Sequence, residues 1–457
     1  MQTTERGNET DSGPIEQNRS PHGTAYWEPE TECIDRGALE TLQLERLRST
    51  IESALGIPFY RERLESVGIG NGRDIGSLAD LSRIPCTTKD DLRSGYPNGF
   101  LSVPKEEVIR LHTSSGTTGT PTVIYHTKSD IDSWANLMAR SMVAAGATRR
   151  DVFQNMTGYG LFTGGLGMHY GAEKLGMIVI PTGSGNTSRQ IRFMQDFGST
   201  VLHATPSYML HLYDKLIEEG VSPKSLSVRM AFLGAEPYSE ATRKKVEELW
   251  GIDVFNSYGL SEMNGPGVAF ECVHKTGMHL WEDAYILEIL DPATGFPVPD
   301  GQYGELVLTT LQRQATPILR YRTRDLTRIV PGECPCGRVH RRIDRIRGRS
   351  DDMLIVSGVN VFPSQIESVL MKIPEVGNNY LIHLTKKGAL DRLTVKVEVR
   401  SELFSGDLEQ FDRLRKKIQD ELHSQIVLHP AVEFHEPGSL PVSEGKAKRV
   451  IDERPAL

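Results

Sequence analysis

The nine residues from Thr113 to Pro121 hold six hydroxyl side chains and two glycines. Glycines let the backbone approach an anion, and hydroxyls can donate to its oxygens, so this composition suits a phosphate-holding turn; it also suits any tight turn. Gly116 and Gly119 are only three positions apart and no Gly-Lys-Ser/Thr follows, which sets the stretch apart from the Walker loop of kinases and GTPases. The stretch contains no lysine before Lys128. A cation for the phosphate must come from elsewhere in the chain.

A second chemical set lies among the five cysteines. Cys272, His279, Cys334 and Cys336 offer three thiolates and an imidazole, a closed tetrahedral set suited to structural zinc, with no position left for a catalytic water. The Cys-x6-His and Cys-x-Cys spacings are not the common finger spacings, and His274 and His340 are alternative imidazoles. Cys33 and Cys86 have no partner pattern and read as plain thiols.

After the hydroxyl-rich turn come `FLGAEP` (232–237), `NSYGLSE` (256–262), `YRTRD` (321–325), `GRSDDMLIVSGVNVFPSQIE` (348–367) and `SEGKAKR` (443–449), in that order. The series resembles the adenylate-forming acyl-CoA synthetase superfamily. `GYGLFTGGLG`, `TPSYML` and `RYRTRDLTRI` bring it nearest to phenylacetate-CoA ligases, over about Tyr26 to the C-terminus. The resemblance implies an ATP- and magnesium-dependent ligase that joins an aryl acid to coenzyme A and works as a homodimer. Loading a carrier-protein thiol, or nucleotide binding without catalysis, are the alternatives on the same fold.

The resemblance also assigns residues. Ser114, Ser115, Gly116, Thr117, Thr118 and Gly119 would hold phosphate, and Gly234, Ala235 and Glu236 would lie along adenine with Asn256 and Gly259 nearby. Tyr258 would stack on the base, Ser261 and Glu262 would act at the phosphates, and Glu262 would carry the magnesium. Asp325 would accept from the ribose hydroxyls with Arg349 close by, unless it is paired with Arg322, Arg324 or Arg328. Relatives usually have a lysine where this chain has Thr120. The catalytic cation is expected at Lys446, with Lys448 the rival, swung in by a small domain pivoting at Asp351. Such an ammonium would stabilise charge developing in the transition state.

Tyr159, Phe162 and Gly164 are candidates for an acyl pocket that admits a flat ring, or else simply pack helix against sheet. His203 and Asn264 stand where phenylacetate-using relatives tend to be apolar. They fit a ring bearing a hydroxyl or amino group, such as a substituted benzoate, or they bond to the backbone and never touch substrate.

Those residues need a scaffold. A chain of 457 residues exceeds one ordinary core. Its 60 acidic and 52 basic residues give a net charge of -8 without long runs of one sign, which excludes the footprint of a nucleic-acid binder. No run approaches the roughly 18 apolar residues of a membrane span, and a cytoplasmic location is expected. Residues 1–24 read as a polar tail. Leucines at 39, 42, 44 and 47, with Ile51 and Leu55, predict an amphipathic helix.

From Asp151 to Asn256, short apolar runs alternate with helix-length segments, which predicts βαβ units and a parallel sheet whose carboxyl-end loops face a ligand. After Met278, strands and turns predict antiparallel pairing. The expected class is α/β: an AMP-binding domain over 25–347, a hinge over 348–352, and a mobile α+β lid domain over 353–457.

Overall fold

A computed structural model describes residues 25–114, 120–387, 390–400, 408–441 and 447–454. The expected tail, residues 115–119 of the hydroxyl-rich turn, and Lys446 lie outside the described residues.

The two arms of that turn are an antiparallel hairpin, β1 (Val108–Thr113) and β2 (Val123–Thr127). The apolar runs that follow become β3 (Val152–Asn155), β4 (Ile178–Ile180), β5 (Val201–Ala204), β6 (Met230–Leu233) and β7 (Asp253–Leu260). They pair in parallel in the order β4-β3-β5-β6-β7. Helices Thr163–Leu175, Thr187–Phe197, Pro206–Glu218 and Glu240–Trp250 make the crossovers. Along β6, Met230 and Phe232 enter one core while Ala231 and Leu233 enter the other, so the strand period of two feeds both faces of a doubly covered sheet.

A carboxyl-end loop was expected directly beyond Phe255, and the structure differs there. β7 runs on to Leu260 because β8 (Gly265–Glu271) returns along it, antiparallel from Ser257 onward, whereas β6 pairs with it in parallel up to Asn256. β9 (Met278–Leu280) continues the antiparallel half.

β10 (Tyr285–Leu290), β11 (Gly304–Thr310), β12 (Tyr321–Thr327) and, beyond it, β15 (Gly348–Arg349) form a four-stranded antiparallel sheet. Between them in sequence, β13 (Ile329–Val330) and β14 (Arg342–Ile343) complete the nine-stranded sheet by pairing on β9. The small domain has a hairpin of β16 (Leu354–Val356) and β17 (Val359–Val361). Its sheet pairs β18 (Val376–Lys387) with β19 (Leu390–Val399), with β20 (Ala431–His435) and β21 (Val450–Asp452) as parallel edges. Helix Pro363–Leu370 starts at the expected proline, and helix Leu408–Ile426 covers the span the sequence predicts.

The predicted N-terminal helix is Arg36–Leu55, capped by Asp35, whose carboxylate accepts from Gly37 N at 2.8 Å. Its buried stripe is Leu39, Gln43, Leu47, Thr50, Ile51 and Ala54, so the two polar members replace Leu42 and Leu44. Gln43 belongs there because its amide donates to Glu282 O at 2.8 Å.

Arg140, on helix Lys128–Ala144, and Asp283 are each only 2% exposed and meet at 2.6 Å. Burial pushes the Asp283 carboxyl up, but Arg140 outweighs it and holds the group at about 2. Removing one partner strands a buried charge, so Arg140→Met should cost about 3–5 kcal/mol in urea unfolding. A depressed carboxylate stabilises above its unfolded value of about 3.9 and loses that contribution as pH falls toward the folded one. Between pH about 4 and about 2 the gap between wild type and variant should therefore narrow.

Candidate active site

Between β7 and β8 the chain reverses through Ser261–Met263 and Asn264, whose φ is 79°. The two arms approach so closely that a Cβ on Gly259 would lie 1.9 Å from Gly265 O. Only glycine fits. The reversal turns Glu262, 4% exposed, toward the base of the hydroxyl-rich turn, where Thr122 Oγ1 donates to Glu262 Oε1 at 3.3 Å. Lys89 Nζ lies 3.7 Å from the same oxygen, and Arg313 donates to Glu262 O at 2.8 Å. Ser114 and Thr122 tie the described ends of the turn together: Ser114 N donates to Thr122 O, and Thr122 N to Ser114 Oγ, each at 3.1 Å.

Tyr258 sits within β7, and its hydroxyl donates to Asp325 Oδ2 on β12 at 2.6 Å. Burial, reinforced by that carboxylate, raises the phenol well above its ordinary range, so it stays a donor. Arg322 and Arg324 pair with Glu305, and Arg328 with Asp344. Asp325 is opposite Arg349 in the strand register, and Arg349 grips Asp351 through two 2.8 Å bonds.

Gly234 packs on Ser257 O and Ala235 is left-handed at φ 69°. Glu236 accepts from Ser207 N at 2.8 Å and from Ala447 N at 2.9 Å, reaching the residue after Lys446. Asn256 N donates to Glu271 at 2.7 Å. Further bonds join the domains. Ser239 N and Thr242 Oγ1 donate to Glu367, Lys245 Nζ donates to Gly377 O at 2.9 Å, and Asn378 donates to Asp214 at 2.7 Å. A cleft of about 530 Å³ lies between the domains, lined by Glu236, Tyr238, Arg349, Asp351, Lys448 and Arg449 among others.

The acyl candidates divide. Tyr159 OH contacts Asn155 Nδ2 at 2.8 Å and His169 Nδ1 at 3.1 Å, Phe162 is 54% exposed, and a Cβ on Gly164 would meet open space. His203 Nδ1 bonds Asn155 Oδ1 at 2.9 Å, and burial lowers the imidazole to about 3. Asn155 also donates to Gly165 O at 2.7 Å, so it organises this wall. Asn264, 4% exposed, leaves its Oδ1 without a partner.

Cys272, His279, Cys334 and Cys336 come together with their ligand atoms all within 4.8 Å of one another. Cys272 Sγ is 3.6 Å from Cys334 Sγ, and Cys336 Sγ is 3.3 Å from His279 Nε2. A tetrahedral zinc with Zn–S of about 2.3 Å and Zn–N of about 2.0 Å needs edges of roughly 3.5–3.8 Å, so the set fits. His279 Nδ1 faces His340 O at 2.9 Å, which assigns that nitrogen the proton and leaves Nε2 with a lone pair toward the sulfurs. His340 thus supports the set from outside, and His274 is exposed.

Sequence reasoning missed Lys89, Thr122, Arg313 and Asn155. Lys89 opens a short helix capped by Thr88 and reads locally as a solvated lysine. Arg313 and Asn155 carry no motif. Thr122 alone had a signal, as the first hydroxyl beyond Pro121.

A carboxylate beside a hydroxyl-rich turn, a tyrosine–aspartate pair and a second domain across the cleft define an AMP-binding, adenylate-forming enzyme. The sequence matches the AMP-binding enzyme family over 81–312 and the AMP-binding enzyme C-terminal domain over 358–454. Phenylacetate-coenzyme A ligase of Pseudomonas putida is 47% identical over 93% of this chain and 96% of its own. The Escherichia coli enzyme of the same description is 45% identical over 93% and 97%. The chain belongs to the phenylacetate-CoA ligase family and is an AMP-forming acid–CoA ligase.

A solved 2-hydroxyisobutyryl-CoA ligase in its postadenylation state, with R3-HIB-AMP bound, superposes with a TM-score of 0.88 at 29% identity, covering 94% of this chain and 92% of that one. The same ligase in its thioesterification state, with 2-HIB-AMP and CoA, scores 0.69 at 30% identity over 93% and 92%. The domain placement here follows the first. Because a Cβ at Gly259 meets backbone, Gly259→Ala should lower stability by about 1–3 kcal/mol and displace Glu262. Thermal unfolding and a crystal structure of the variant check both.

Proposed function

We propose that this chain activates an aromatic carboxylic acid as an acyl adenylate and transfers it to coenzyme A. In the first half-reaction a carboxylate oxygen attacks the α-phosphorus of ATP, the Pα–O bond to the β-phosphate breaks, and pyrophosphate leaves. In the second, the coenzyme A sulfur attacks the acyl carbon, the acyl–phosphate C–O bond breaks, and AMP leaves. The observation that carries this reading is the Glu236–Ala447 bond, which brings the segment following Lys446 onto the large domain that holds Glu262 and the Tyr258–Asp325 pair.

In this reading the hydroxyl-rich turn donates to the phosphates, and Tyr258 lies against adenine while its hydroxyl orients Asp325 toward the ribose. Glu262 would hold magnesium, which when bound offsets phosphate charge. Lys89 adds a cation beside Glu262 that the turn itself lacks. Lys446 contributes the ammonium at the reacting carboxylate. Its support is Ala447, which follows it in the chain and bonds Glu236, and the short reach to β21 on the small sheet.

The small domain pivots over 348–352 between half-reactions, with the Arg349–Asp351 fork parting as it turns. The acid carries a hydroxyl or amino group, supported by the unpartnered Asn264. Zinc closes the Cys272, His279, Cys334 and Cys336 set and fastens the antiparallel edge of the nine-stranded sheet.

Lys446→Ala should slow carboxylate-dependent pyrophosphate exchange by about 10²–10³-fold, the range for losing one preorganised donor to developing charge. Thioester formation from a supplied acyl adenylate should persist, and loss of both halves would sink the assignment. Metal analysis of protein purified without chelator should find one zinc per chain, with Cys334→Ser losing it and unfolding at lower temperature; a metal-free wild type would refute the zinc.

A further inference from the structure

Four side chains behind the Glu262 reversal are at least nine-tenths buried and hold polar atoms without a partner among the described residues. They are Asn264 Oδ1, Arg313 Nε and Nη2, both ring nitrogens of His126, and His112 Nε2. A buried polar atom without a partner costs about 1–3 kcal/mol, so such a group implies an occupant.

The four are neighbours. The rings of His112 and His126 are 5.5 Å apart, His126 stacks on Trp134 at 5.8 Å, and His112 meets the same indole edge-on at 5.7 Å. Burial, then Arg313, holds His126 far below the usual imidazole range, and burial also lowers His112, so both rings are neutral. Arg313 lies close to Tyr285 as well, whose hydroxyl is within reach of the Asn264 side chain.

The walls tie this group to the reacting site. His112 Nδ1 donates to Leu161 O at 3.0 Å, in the loop of Tyr159 and Phe162, and β1 carries His112 one residue before Thr113. Arg313 holds Glu262 O, and Trp134 Nε1 donates to Pro266 O at 2.8 Å. With Nδ1 spent as a donor, His112 Nε2 is an acceptor. Asn264 Oδ1 is another acceptor, Arg313 contributes two donors, and neutral His126 contributes one of each. A hydroxyl, which both donates and accepts, matches that mixture, and an amino group matches the acceptors.

We propose that Asn264, His112, His126 and Arg313 form a polar subsite that reads a hydroxyl or amino substituent on the ring of the acid. This rests on the aromatic-acid ligase reading above. His203, the other polar candidate, is instead engaged by Asn155 and belongs to the wall.

The test is carboxylate-dependent pyrophosphate exchange with benzoate, phenylacetate and the hydroxy- and aminobenzoates, on wild type, Asn264→Gly and His126→Phe. Glycine keeps the left-handed backbone while removing Oδ1, and phenylalanine keeps the stack on Trp134. Wild type should favour one substituted acid over its unsubstituted parent by on the order of 100-fold in kcat/KM. Each variant should cut that ratio at least about tenfold, with thermal unfolding of each variant serving as the control for folding.

If wild type prefers phenylacetate or benzoate, or if the ratio survives both substitutions, the subsite holds only solvent and the proposal falls while the ligase reading stands. If no aromatic acid supports exchange, both fall.

Discussion

Glu236 is the carboxylate on which the arrangement of this molecule depends. It is half-buried at the end of the strand–loop that follows β6, where it lines the cleft, and its two oxygens accept backbone N–H bonds from opposite sides, Ser207 of the large domain and Ala447 of the small one. Burial pushes its pKa up, and those two amides oppose the shift. A half-buried carboxylate that accepts two charge-assisted amide bonds holds the C-terminal segment at the cleft. Glu367 does the reciprocal job, reaching from the small domain to cap the first turn of helix Glu240–Trp250. Each domain completes hydrogen bonds that the other leaves open. These polar contacts give the interface its register, and apolar residues of both domains, among them Leu210, Val246, Ile366 and Leu370, belong to one buried cluster behind them.

The second constraint is the tight return of β8 along β7. Two glycines let the arms meet, and the parallel half of the sheet becomes antiparallel within one strand. Tyr258 is consequently held on rigid ladder structure and not on a flexible loop, and Glu262 projects at the point where the strand stops. Catalytic groups placed on regular elements keep their geometry more closely than groups on loops. The same turn carries Asn264 in a left-handed conformation, with its side chain buried and its Oδ1 unpartnered.

A third region secures the far edge. The Cys/His set joins the end of β8, β9 and the segment between β13 and β14, and the N-terminal segment wraps it: Tyr26 OH donates to Cys336 O at 2.6 Å, and Arg338 pairs with Glu32 in full burial. Residues separated by about three hundred positions thus share one corner. Short strands of two residues, such as β13 and β14, have little ladder of their own, and the bonds from Tyr26 to Cys336 O and from Arg338 to Glu32 hold the segment between them.

The strand–helix alternation, the helix at 36–55, the parallel and antiparallel halves and the α+β lid were legible in the chain, because periodicity of apolar residues reports which face is buried whatever the partner. Tyr258, Glu262, Asp325 and Arg349 were singled out by their resemblance to family motifs, while the pairing of Tyr258 with Asp325 and the register of Asp325 against Arg349 came from the fold. The Cys/His set was legible as chemistry, although not as geometry.

Lys89, Arg313, His112, His126 and Asn155 were not legible. Each sits in an unremarkable local pattern and acquires meaning only from what long-range packing brings against it, as Lys89 does against Glu262 and His203 against Asn155. By itself the sequence determined the layers, the family and the identity of the motif side chains, since those follow from local pattern. Which polar atoms are satisfied and which are left waiting, and where the C-terminal segment meets the large domain, only the tertiary structure decided, because hydrogen-bond satisfaction depends on distances between residues hundreds of positions apart.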